Sequence, residues 1–149
     1  MSTQRFIVEN HGPNISTVQK LFEQSAAFCL RNRIGQLSLV TPDLDTFPDT
    51  VIAEYLGRTV TRGLCRGRPV TLVKGLDLRL LAPEQLLKDG DNGLVLAAFL
   101  SLEALGNIDN SPLLTALAFL PWAQTDGQRW MGVWSPAVWG ESLNRPRCA

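Results

Sequence analysis

Two runs with no polar alternation, Leu94–Leu100 and Leu113–Leu120, constrain this chain more than any other feature. A strand with one wet face alternates apolar and polar residues, whereas a strand covered on both faces is apolar throughout. Neither run approaches the ~20 apolar residues of a membrane-spanning helix. Both therefore predict central strands of a sheet covered by helices on its two sides.

The rest of the chain supplies helices and further strands in alternation. Phe6-Ile7-Val8, within Arg5–Glu9, forms a first strand, and Gly12-Pro13 breaks it. Ser16-x-x-Gln19 then reads as a capping box, in which the serine oxygen accepts from a first-turn amide and the glutamine reaches back. The helix it opens carries Val18, Leu21, Phe22, Ser25, Cys29 and Leu30 at spacings of three and four, and it ends near Gly35. Leu37–Thr41 is a second strand closed by Pro42. Pro48 stands where a helix start tolerates proline; Val51, Ile52, Tyr55 and Leu56 form the buried stripe of that helix, and Gly57 ends it. Val70–Lys74 is a third strand, and Pro83–Lys88 a short helix stopped by Gly90. The residues between the apolar runs, with Gly106, Asn107, Asn110 and Pro112, read as a loop. A last helix begins near Thr125 or Asp126 and carries Trp130 and Trp134 four residues apart.

Roughly five strands alternating with helices predict an α/β three-layer sandwich around a mostly parallel sheet. The 149 residues show no repeat or linker, so one domain over 1–149 is expected, with a mobile tail over about 141–149. A chain of this length buries roughly 70% of its unfolded surface, enough to fold without disulfide or metal.

Charge and cysteine usage exclude several function classes. Fourteen basic residues balance fourteen acidic ones, so no global field draws in nucleic acid or an anionic membrane, and neither partner is expected. The three cysteines, Cys29, Cys65 and Cys148, are odd in number and far apart, which argues against a disulfide framework and for a reducing, cytoplasmic setting. The polar start, Met1–Phe6, lacks the form of a signal peptide. The single histidine, His11, cannot build a two-histidine metal site, so no metal is expected. The glycine fingerprints of dinucleotide and P-loop sites are missing, as is the hydrolase elbow, and no cofactor is predicted.

Four sets of residues carry chemistry. His11, Asn14, Ser16 and Thr17 join the first strand to the first helix, where side-chain donors and first-turn amides suit a phosphate or carboxylate. Thr41 and Asp43 follow the second strand and Lys74 the third; in a parallel sheet such residues converge on the carboxyl edge, where open α/β sheets bind ligands. Arg62 and Arg66 belong to a basic run from Arg58 to Lys74 that contains no acid, and arginine forks match oxyanions. Trp130, Trp134 and Trp139 lie in a tryptophan-rich C-terminal region suited to contact with a second copy of the chain.

These sets give three expectations. The first is a domain that binds a small anionic or phosphate-bearing ligand at the carboxyl edge of the sheet. The second is a non-catalytic, self-associating protein that uses the tryptophan-rich region. The third is an enzyme of unidentified class that uses the strand-end polar groups.

Overall fold

The computed structural model describes residues 3–86, 93–111 and 114–139. The helix stop expected at Gly90, the start of the second apolar run at Leu113 and the tail over 141–149 lie outside them. The chain runs β1 (Gln4–Val8), α1 (Ile15–Arg31), β2 (Gln36–Val40), a 3-10 turn (Phe47–Asp49), α2 (Val51–Leu56) and α3 (Arg58–Cys65). It continues with β3 (Val70–Val73), β4 (Leu76–Leu81), α4 (Pro83–Leu86), β5 (Leu94–Ala98) and α5 (Leu102–Asp109). It closes with β6 (Ala116–Leu120), α6 (Gln124–Trp134) and β7 (Ala137–Trp139).

Among the described residues, seven strands form one sheet in the order β3-β4-β2-β5-β6-β1-β7. Of the strand pairs among these residues, only β3–β4 is antiparallel. The α/β class and the parallel character match the sequence reading, while the strand count exceeds it by β4 and β7. In β4, Leu76, Leu78 and Leu80 point inward, alternating with the exposed Asp77 and half-buried Arg79.

The apolar runs divide as the strand pleat requires. Leu94, Leu96 and Ala98 of β5, with Ala116, Ala118 and Leu120 of β6, face a core shared with Val18, Leu21 and Phe22 of α1, Ile52 of α2 and Leu64 of α3. Val95, Ala97, Leu117 and Phe119 face the opposite core with Leu86 of α4, Leu105 and Ile108 of α5, and Trp130 of α6. Each buried side chain of this size contributes about 1.5–3 kcal/mol relative to an exposed one. Leu30, expected on the buried stripe of α1, is half exposed.

Three local expectations are corrected. Asn14, not Ser16, caps α1: its Oδ1 accepts from the amides of Ser16 (3.0 Å) and Thr17 (3.3 Å). Gln19 bonds Glu23 instead of reaching back to a cap. The helix expected from Pro48 is a 3-10 turn, and α2 starts only after Thr50, whose hydroxyl accepts from the Ala53 amide. The expected loop between the apolar runs contains α5, capped by Ser101 through the Ala104 amide.

The order of the strands fixes where concave sites arise. The chain steps from β1 through β2 to β4 by way of α1, α2 and α3 on the first face. It then reverses, and α4, α5 and α6 cover the second face. β2 lies between β4 and β5 but exits to the opposite face from both, and neighbouring strands that diverge in this way open a crevice at their carboxyl ends.

Candidate functional site

A concavity of about 880 Å³ lies on the first face. Pro13 from the β1–α1 loop and Pro48 from the β2–α2 connection join it to the carboxyl edge, and the outer side of α3 forms its basic wall. Arg58, Arg62 and Arg66 all line it. Their four-residue spacing puts them on one side of α3 on successive turns. Leu64 packs inward from α3, and Thr61, which borders the cleft, donates its hydroxyl to the Ala53 carbonyl at 3.3 Å.

Gly57 explains why Arg58 is free to serve the cleft. Glu54 stands four residues before Arg58, a pairing distance on a continuous helix. Gly57, at φ +90°, breaks the helix between them and aims α3 along a new axis. Among the described residues, Arg58, Arg62 and Arg66 make no ion pair. Asp49 and Glu54 also line the cleft, so it presents three guanidinium groups and two carboxylates. Cys65 opens onto the same cavity and is exposed.

A second concavity, about 580 Å³, occupies the carboxyl edge where β2 diverges from its neighbours. Pro42 follows β2, Pro83 and Glu84 follow β4, Phe99 to Ser101 follow β5, and Trp122 follows β6. Among the described residues, its charged lining is Glu84 and Asp126, with no base. The Gly12 amide donates to the Pro121 carbonyl at 2.9 Å, so the loop that lends Pro13 to the arginine cleft is tied to the wall of this crevice.

The residues singled out from the sequence separate accordingly. Arg62 and Arg66 come together in the first cleft, joined by Arg58. His11, Asn14 and Ser16 are exposed at the start of α1, but there the Asn14 carboxamide occupies the position a bound anion would take on the Ser16 and Thr17 amides. The Ser16 hydroxyl also donates to it, at 3.0 Å. Thr17 turns inward and lines a gap of about 40 Å³ beside Trp139, the size of a single water. Asp43 turns back on its own loop, accepting from the Asp45 amide at 2.9 Å. Thr41 is buried at the end of β2, and its hydroxyl, like that of Thr17, has no hydrogen-bond partner among the described residues.

Lys74 does not join the others. Because β3 is antiparallel to β4, the Lys74-Gly75 turn lies at the amino edge of the parallel strands, as does Asp77 opposite Gln36. The tryptophans also divide. Trp139 stacks on Phe6 at 4.4 Å between ring centres, and Trp130 is 3% exposed, so neither indole is available to a partner. Trp134 is 37% exposed and carries the Arg5 guanidinium 3.5 Å from its ring centre. Sequence reasoning passed over Arg58 as a site residue, and with it Asp49 and Glu54. The readable signal was the spacing of Arg58, Arg62 and Arg66.

The fold and these concavities define an α/β protein with a doubly covered, mostly parallel sheet and an arginine-walled cleft beside its carboxyl edge. Comparison with protein-family models, with curated proteins and with solved structures returns no match.

Proposed function

We propose that the chain binds a small anionic or phosphate-bearing ligand in the cleft walled by α3. The observation that carries this reading is the row of Arg58, Arg62 and Arg66, which make no ion pair among the described residues and line a concavity of about 880 Å³. Guanidinium is weakly hydrated and presents a planar fork of donors, so it exchanges water for oxyanion oxygens at low cost. A volume of about 880 Å³ accommodates a small organic anion, within the ~300–1,000 Å³ common for such sites. The ligand lies beside the carboxyl edge, against α3, and not on the capped start of α1.

Thermal unfolding in inorganic phosphate and pyrophosphate, at constant ionic strength, tests this reading. A ligand at 100 times its Kd adds roughly 2.7 kcal/mol to stability. Pyrophosphate is expected to raise Tm for the parent chain and to lose that effect in Arg62→Ala and Arg66→Ala. An equal rise in parent and variants contradicts the assignment, as does no rise with either anion.

Self-association is a second reading, favoured by Met131, Val133 and Trp134, which leave 37%, 72% and 37% of their surfaces exposed along α6. Trp134 is the one member of the tryptophan set in the proposed contact. A concentration-dependent sedimentation coefficient that becomes constant in Val133→Glu supports it. A single monomeric species at all concentrations removes it.

A further inference from the structure

The crevice at the carboxyl edge has a chemistry opposite to that of the arginine cleft. Its charged walls are Glu84, at the start of α4, and Asp126, in the first turn of α6. Its aromatic wall is Trp122, 55% exposed and in edge-to-face contact with Phe99 at 5.1 Å. Leu100, 1% exposed, belongs to its apolar lining. The crevice stands where strand exits diverge, the place at which open α/β sheets receive ligands, and its volume of about 580 Å³ is that of a small-molecule site.

We infer that this crevice is a second binding site, for a small organic cation bearing an ammonium group. Carboxylates supply charge complementarity, with no base among the described lining residues, and an exposed indole attracts a cation through its quadrupole. Most large aromatic side chains of the chain are at least partly buried, whereas Trp122 presents more than half of its surface beside two acids. Phe99 holds φ +61°, a left-handed conformation unusual for a bulky residue, and in it packs against the indole. The Gly12–Pro121 hydrogen bond steadies the strand exit that carries Trp122. This inference is independent of the arginine cleft, whose residues do not line the crevice.

Choline and its neutral isostere 3,3-dimethylbutan-1-ol form the test, read by NMR on the full chain. Choline is expected to give saturable shifts at Phe99, Ser101 and the Trp122 indole, with the alcohol binding at least about tenfold more weakly, a difference of ~1.4 kcal/mol. The double variant Glu84→Gln/Asp126→Asn and the variant Trp122→Ala are each expected to weaken choline by a similar factor. Trp122→Phe, which keeps an aromatic face, is expected to retain part of the affinity. Equal binding of alcohol and choline overturns the inference, as do shifts centred elsewhere, unchanged binding by natively folded variants or no saturable response. Co-sedimentation with phosphatidylcholine vesicles separates a free ammonium ligand from a lipid headgroup. The chain is expected in the supernatant; pelleting without binding of soluble choline overturns the assignment to a free ligand.

Discussion

Gly93 stands at the entry to β5, at φ +62°, with its α-carbon against the backbone of Gln36 at the entry to β2. A methyl group there would overlap the Gln36 carbonyl, a backbone atom that cannot swing aside, and would also hold alanine in a left-handed conformation. Gly93→Ala is therefore expected to lose about 3 kcal/mol or more in chemical denaturation. A loss below about 0.5 kcal/mol would show that the two strand entries part easily. Cys29 gives a second residue-level outcome. Burial in the core under α1 pushes its thiol from 9.0 up to about 11. The folded state thus holds this proton more tightly than the unfolded chain, so its contribution is complete below pH 9 and is lost as pH rises through 11. Over that window Cys29→Ala is expected to lose less stability than the parent, by about 3 kcal/mol at most. Parallel pH profiles for the two proteins would contradict it.

Among the elements, α5 and α6 are tied to β1 by one carboxylate. Asp109 accepts from Arg5 Nε at 2.9 Å and from Trp130 Nε1 at 2.8 Å, while Arg5 also reaches the Asp109 carbonyl at 3.2 Å. The carboxylate side chain is 3% exposed and its arginine partner 10%. Asp109→Ala leaves a guanidinium and an indole N–H without their acceptor and is expected to cost about 3–5 kcal/mol. A cost under 1 kcal/mol in urea denaturation would mean that water replaces the carboxylate freely. This tie was invisible in the sequence, because Arg5 and Asp109 are far apart along the chain. Other elements were legible for clear reasons. β5 and β6 carry apolar residues to both cores, and α1 keeps one apolar stripe, so pattern alone places them. β4 was readable but overlooked: Leu76, Leu78 and Leu80 alternate as a strand should, beyond a two-residue turn through Gly75. Missing that turn sent Lys74 to the wrong edge. α5 was hidden for a physical reason, since Gly106 and Asn107 are weak helix formers. Packing of Leu105 and Ile108 into the second core, with the Ser101 cap, outweighs them.

At the scale of the whole molecule, a net charge of zero conceals segregation. Three arginines with no ion pair among the described residues line a cleft on the first face, and two carboxylates line the edge crevice together with an exposed tryptophan. The basic run and the edge position were both readable from the sequence. Their separation into two concavities was not, since it depends on Gly57 redirecting α3 and on the reversal of chain direction after β4. The helix start at Asn14 also looked like the anion site from sequence, and only the cap geometry shows its amides already engaged. The most direct test of the arginine cleft is an NMR titration with inorganic pyrophosphate that follows arginine Nε–H and backbone amide signals. The account predicts saturable shifts largest at Arg58, Arg62 and Arg66 and at the Thr50 and Gly57 amides. Largest shifts at Asn14, Ser16 and Thr17, or no saturable shift at the three arginines, would contradict it.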